Sequence, residues 1–178
     1  ALRDSRGAPV GGALLRIVAE RDSGGRRLLD EVRTAADGTY SLPLGTDVSR
    51  TVSVNYDGDA IRGVAAATVR QNVRAGVSMR LSADRVRRGG RLYASGRVKL
   101  LTAAVPPRGV PVEVQFCTRS GCSRVSISDT TDSNGGFSTP IPTSYSGRTK
   151  LVLRARVSTF PGWPFAAATS KRRTVVIG

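Results

Sequence analysis

Hydrophobic positions along this chain alternate with polar ones in short runs, and turn residues separate the runs. Ala13-Leu-Leu-Arg-Ile-Val18 predicts a strand, and Leu28 to Arg33 a second. Asp37-Gly38 is a turn signal, because glycine tolerates positive φ and the Asp side chain bonds nearby backbone. The chain leaves that turn as Thr39-Tyr-Ser-Leu-Pro-Leu44, with Tyr40, Leu42 and Leu44 on one face. Thr51 to Tyr56 alternates, as does Val73 to Leu81, where Val77, Met79 and Leu81 share a face. Further on, Leu92, Ala94 and Gly96 alternate with polar neighbours. Val110 to Phe116 predicts a strand with Val110, Val112, Val114 and Phe116 inward and Glu113 and Gln115 outward. Leu151, Leu153, Ala155 and Val157 face one way, Arg154 and Arg156 the other, and Thr174 to Ile177 is the last strand. Short strands with turns between them, and no amphipathic helix, predict a sandwich rather than a parallel α/β sheet.

The pattern occurs twice. Arg6-Gly-Ala-Pro-Val10 matches Arg108-Gly-Val-Pro-Val112, and Thr34-Ala-Ala-Asp-Gly-Thr-Tyr-Ser41 matches Thr131-Asp-Ser-Asn-Gly-Gly-Phe-Ser138. Arg50-Thr51 matches Arg148-Thr149, and Ala65-Ala-Ala-Thr68 matches Ala166-Ala-Ala-Thr169. The offsets are 102, 97, 98 and 101, in one order along the chain, which is the signature of a duplicated unit. The polar stretch from Leu81 to Gly90, ending in a glycine pair, places the boundary. Two β-sandwich domains are therefore expected, 1–82 and 83–178.

Gly-x-Pro-Val before a strand, then Thr-x-x-Asp-Gly-x-Tyr/Phe-Ser, resembles bacterial immunoglobulin-like domains, with similar patterns in carboxypeptidase-regulatory-like and fibronectin-type-III-like modules. From residue 85 the run Arg-x-Gly-Gly-Arg-Leu-x-Ala-Ser-Gly-Arg-Val, then Pro-Val-x-Val-Gln, then Asn-Gly-Gly-Phe, is similar to a module of secreted actinobacterial proteins. The resemblance implies an all-β fold of two tandem immunoglobulin-like β-sandwich domains, and a role in extracellular spacing, adhesion or assembly. Its motifs are turn and core positions, so it carries over no catalytic residue.

The two units are unequal. Roughly Arg85 to Val105 precedes Gly109 and holds the opening strand of the second unit, whereas six residues precede Gly7. The first sandwich is thus expected to lack its opening strand, which exposes an unpaired edge. Three explanations stay open: the chain is a fragment of a longer array, another subunit donates the strand, or the first unit is a smaller sandwich. The chain begins at Ala1 rather than Met, as after processing or at a chosen boundary.

Composition then narrows the chemistry. Histidine is absent, which removes the usual general base and most zinc sites, and no enzyme is expected. Cys117 and Cys122 bracket a hairpin turn that brings them side by side, so a disulfide is expected, and with it an oxidising, extracellular or cell-surface location. No cofactor or metal is expected: Asn55, Asp57 and Asp59, and likewise Asp129, Asp132 and Asn134, lack the closing Glu of a calcium loop, and turn chemistry explains both groups. Trp163 and Phe165 are assigned to one end of the second core. An intramolecular isopeptide crosslink needs a buried Lys beside Asn or Asp, and none of the three lysines sits in such a motif.

Net charge is +15, and it is uneven. Residues 1–80 hold 12 Arg and 9 acids (+3), and 81–178 hold 16 basic residues and 4 acids (+12). Such a surface attracts anionic polymers. No apolar run is long enough to span a membrane, and with neither recognition helix nor zinc pattern nucleic acid is not an expected partner. The leading expectation is a non-enzymatic structural or adhesive module, either a repeat of a surface protein or a filament subunit, whose partners are copies of itself or neighbouring immunoglobulin-like domains meeting by strand donation at the first domain. The alternative is an accessory module of a secreted enzyme that binds carbohydrate or polyanion.

Overall fold

A computed structural model of the chain describes residues 1–21, 24–101 and 104–178, with backbone alone for 124–128. The described residues form strands and no α-helix, so no helix among them is long and apolar enough to cross a membrane. The fold is all-β, in two compact units. One comprises Ala1–Val73 with Pro161–Phe165, and the other Arg74–Phe160 with Ala166–Gly178.

The first unit is built on an antiparallel sheet in the order β2-β1-β3-β4, from β1 (Leu14–Arg21), β2 (Arg26–Arg33), β3 (Arg50–Tyr56) and β4 (Ala65–Gln71). Strand alternation turns Leu15 and Ile17 of β1 and Val52 and Tyr56 of β3 to one face, where all four are buried. Leu2, Tyr40, Leu42 and Leu44 pack on this cluster and are only partly buried. Thr39–Leu44, expected as a strand, has the expected facing but joins no ladder. At the other end of β3, Arg50 is buried, donates from Nε to Gln71 Oε1 at 2.7 Å, bonds the Gly45 carbonyl, and pairs with Asp47 at 3.0 Å. These partners satisfy a charge that would be costly to bury alone. Trp163 and Phe165 are buried with rings 5.0 Å apart, and they group with this unit rather than with the second core to which the sequence assigned them. The Ser49 amide donates to the Pro164 carbonyl there at 2.7 Å, a long-range bond with no sequence signal.

The second unit is a two-layer sandwich. One sheet runs β10-β7-β5, from β5 (Gly76–Leu81), β7 (Tyr93–Lys99) and β10 (Gly136–Pro140). The other runs β6-β13-β11-β8-β9, from β6 (Arg85–Val86), β8 (Pro111–Cys117), β9 (Cys122–Thr130), β11 (Thr149–Val157) and β13 (Arg173–Ile177), with β12 (Ala168–Thr169) also paired to β11. Ala94, Val98 and Phe137 of the first layer are buried, as are Val112, Val114, Leu153, Val157, Val175 and Ile177 of the second. Each aliphatic side chain so buried contributes about 1.5–3 kcal/mol. The expected alternation of β8 breaks in its second half. Gln115 is 2% exposed and accepts from Arg154 Nε at 2.9 Å, while Phe116 is half-buried and meets Tyr145 edge-on at 6.4 Å. The cause is a register shift against β9 between Glu113 and Gln115, a bulge that rotates the following residues.

The division falls at Val73/Arg74, before the 82/83 boundary read from the sequence, because β5 pairs with β7 from Gly76↔Lys99 to Leu81↔Ala94. The units share one local frame. The Thr34 amide donates to the Ala13 carbonyl at 3.0 Å, and Thr34 Oγ1 accepts from the Ala13 amide at 2.9 Å. Thr131 makes the same two bonds with Val110, at 3.0 and 2.9 Å. The turns that follow match too, with Ala35 N to Thr39 O at 2.8 Å and Asp132 N to Gly136 O at 2.8 Å. This frame sets Gly12 (φ 72°) beside Gly109 (φ 73°), five residues on from the Gly7 that the sequence match had chosen. It also changes the fourth match. β4 pairs with β3 over its whole length, as β13 does with β11, whereas Ala168–Thr169 is a two-residue bridge.

Candidate functional site

The feature that sets the first unit apart is the open half of its sheet. Register pairs Val52 with Val69, Val54 with Ala67 and Tyr56 with Ala65, so Ala65, Ala67 and Val69 point to the same face as the buried Val52 and Tyr56. They are nonetheless exposed, Val69 to 55%, and Ile61 and Val64 in the preceding loop reach 84% and 80%. β13, which holds the same place beside β11, packs on β5 and has Val175 and Ile177 completely buried. Residues 39–44 pack on the inner face of this sheet together with Leu2, and they form no ladder among the described residues. The amides of Tyr40, Ser41, Leu42 and Leu44 donate no hydrogen bond among the described residues. Unpaired backbone and exposed apolar side chains thus occur together in this unit.

The rim of this face is charged and self-neutralised. Tyr56 donates its hydroxyl hydrogen to Asp59 Oδ2 at 2.8 Å, and Arg62 Nη1 pairs with the same oxygen at 2.7 Å. The amides of Ile61 and Arg62 donate to Asp59 Oδ1 at 3.0 and 2.8 Å. The Ile61 amide first, then the Tyr56 hydroxyl and Arg62, hold the Asp59 carboxyl down to about 2, and the hydrogen bond that Tyr56 donates to Asp59 raises the Tyr56 phenol. Asp57 pairs with Arg16 at 2.9 Å, and Arg16 with Glu31 at 3.4 Å. In the second acidic turn Asp132 Oδ1 accepts from the Asn134 and Gly136 amides, both at 2.8 Å, and Asp129 Oδ2 accepts from the Ser138 amide at 3.0 Å. The carboxylates considered for calcium are thus engaged by turn amides and arginines, and no group of three or more His, Cys, Asp or Glu that could hold a metal occurs among the described residues.

Cys117 and Cys122 face each other across the β8–β9 hairpin in register and are joined, with Cα atoms 3.9 Å apart. They sit at the hairpin's tip, where the bond closes the turn and offers no chemistry. A separate open groove lies over the outer face of β5 and β7. Ser78 and Arg80 of β5, Ser95 and Arg97 of β7, and Arg173 line it, with Asp129 at one side. Arg80 Nε donates to Ser95 Oγ at 3.2 Å and Arg173 Nε to the Met79 carbonyl at 3.1 Å, which fixes two guanidiniums along its floor. Sequence reasoning identified the charge of this half and not the groove, because which arginines share a face depends on the pairing of β5 with β7.

No protein-family model matches the chain, and no curated protein does. Among solved structures it is similar to a tetra-tandem repeat in the extending region of a large adhesion protein, at 14% identity and TM-score 0.39, over 94% of this chain and 42% of that one. It is also similar to the Yersinia pseudotuberculosis adhesin InvE, at 20% identity and TM-score 0.42, over 99% and 52%. The D0-D1 domain of intimin is a third, at 15% identity and TM-score 0.34, over 97% and 85%. The chain spans about half the length of the first two.

Proposed function

We propose that the chain is a non-enzymatic extracellular structural or adhesive module, whose open first unit joins it to other molecules by strand complementation and so builds a filament. The uncovered inner face of β3 and β4, beside the unpaired backbone of residues 39–44, carries this reading. Adding a strand there supplies main-chain hydrogen bonds and buries alternate side chains, and a head-to-tail contact of this kind propagates. The Cys117–Cys122 disulfide supports an oxidising location outside the cell or on its surface. The test is the molecular mass in solution under non-reducing conditions, followed by electron microscopy of the same sample. Regular polymers are expected, and a stable monomer at every concentration would overturn the filament.

The groove carrying Arg80, Arg97 and Arg173 favours a second reading, an accessory module for an anionic polymer or glycan. Its test is retention on a polyanionic or glycan resin. Under this reading the protein holds at physiological salt and Arg97→Ala elutes earlier, whereas elution set by total charge alone leaves that variant unchanged from an Arg→Ala control elsewhere.

A further inference from the structure

The groove over β5 and β7 has a chemical layout set by strand register. On its outer face Arg97 of β7 stands between Ser78 of β5 and Gly136 of β10, and Ser95 stands between Arg80 and Ser138. Guanidiniums thus alternate with small side chains along the strands and across them, and the small ones leave a trough between the large. Arg80 and Arg173 are anchored through Nε, which leaves their outer nitrogens open to solvent. The Arg97 side chain makes no hydrogen bond or ion pair among the described residues. Tyr93 shares the outer face of β7 with Ser95 and Arg97 and is 42% exposed. Four steps of extended strand separate Tyr93 from Arg97, about 13 Å, which is longer than one sugar ring. The side along β10 is acidic. Asp132 Oδ2 stands over Gly136, where a Cβ would lie 2.8 Å from it, and Asp129 holds the Ser138 amide.

We propose that this face binds an acidic polysaccharide laid along β7, with its carboxylates on Arg97 and Arg80 and a neighbouring sugar flat on Tyr93. This rests on the second reading above, an accessory module for an anionic polymer or glycan, and adds the polymer class, its direction and its contacts. The planar fork of a guanidinium matches a carboxylate through two parallel hydrogen bonds. The apolar face of a pyranose packs on an exposed aromatic ring, whose few rotatable bonds make the contact cheap in entropy. Asp129 and Asp132 select against nucleic acid and polyphosphate. A chain charged at every unit sets anions beside these carboxylates, and like charges so placed repel. A glycan turns hydroxyls to that side instead, where Asp132 Oδ2 and Ser138 Oγ accept from them.

The experiment titrates the full chain by calorimetry with an oligogalacturonate, its methyl-esterified form and inorganic polyphosphate. The oligogalacturonate is expected to bind about ten-fold more tightly than either of the others. Arg97→Ala and Arg97→Lys each weaken it about ten-fold, because lysine keeps the charge and loses the fork. Tyr93→Ala weakens it about five-fold, and this loss persists at high salt while the loss from Arg97→Ala shrinks. Arg119→Ala, at an exposed position in the β8–β9 turn outside the groove, leaves the affinity unchanged. An affinity that falls as far with Arg119→Ala, or that either Tyr93→Ala or Arg97→Lys leaves unchanged, overturns the proposal. So does an ester that binds as tightly as the acid. Polyphosphate bound at least as tightly as the oligogalacturonate overturns the glycan and keeps the anionic-polymer reading. A protein that binds none of the three at physiological salt loses both.

Discussion

Gly96 lies in the middle strand of its sheet, opposite Met79 of β5 on one side and Phe137 of β10 on the other. A methyl group placed there by Gly96→Ala would come within 2.0 Å of the Ser78 carbonyl oxygen and 2.7 Å of the Phe137 ring. Neither obstacle is the loose end of a flexible side chain. The first is backbone in a hydrogen-bonded ladder, and the second is a buried ring. Overpacking of this kind costs about 1–3 kcal/mol. The reduced freedom of the unfolded chain returns about 0.4–1 kcal/mol. A net loss of about 1–1.5 kcal/mol is expected, which lowers the Tm of a domain of this size by roughly 5–10 °C. Calorimetry resolves which transition moves, and urea unfolding followed by circular dichroism measures the loss. Phe137→Leu removes part of the obstruction, so Gly96→Ala should cost about 1 kcal/mol less in that background. A Gly96→Ala protein within about 0.5 kcal/mol of wild type would refute the reasoning, because it would mean that the strands part freely at this point.

Three further outcomes follow from bonds described above. Thr34 Oγ1 both donates to the Val10 carbonyl at 2.6 Å and accepts from the Ala13 amide at 2.9 Å, so Thr34→Val should cost about 2–3 kcal/mol by chemical denaturation. Thr131→Val strands the Val110 amide, whose partner is Thr131 Oγ1 at 2.9 Å, and should cost less, about 1–2 kcal/mol. Replacing Cys117 and Cys122 together by Ser opens a short loop and should cost about 2 kcal/mol, read as a matching drop when wild type is unfolded with a reductant present. Asp59 titrates lower in the folded state, at about 2 against an ordinary 3.8, so its contribution is whole above about pH 4 and fades as pH falls toward 2. Asp59→Asn should flatten that part of the acid limb of the first unit's stability profile, while leaving neutral-pH unfolding with no such pH dependence.

The turns were the most legible part of the sequence, since Asp37-Gly38 and Asn134-Gly135 both need a residue at positive φ and both glycines adopt it, at 74° and 79°. The β8 strand was legible as far as Val114, and its facing was lost where a bulge inserts an offset that alternation cannot encode. β4 was not legible as a strand because Ala65–Gln71 is exposed on both faces, leaving no hydrophobic period to read. The same exposure marks the candidate site. The expectation of a missing opening strand came from a mismatched pair, Gly7 with Gly109, and the frame of hydrogen bonds relocates the correspondence to Gly12. The pairing of β5 with β7 joins two segments that the sequence had placed in different units. No local pattern announces that pairing, because it joins the end of one repeat to the start of the next.

The parallel pairing of β6 with β13 bears on how the second unit would respond to tension. Val176 and Gly178 donate to the Asp84 and Val86 carbonyls at 2.9 and 3.1 Å, which ties an early strand of the unit to its last. Pulled apart at Arg74 and Gly178, two parallel strands slide along one another, so these bonds are loaded together and not opened one after another like a zipper. β5 stands in series with them, because force entering at Arg74 crosses its ladder to β7 before it reaches Arg85. Resistance to stretching is therefore concentrated near the ends of this unit, in a few bonds sheared at once, and a chain of such units would lengthen by whole steps and not by gradual creep.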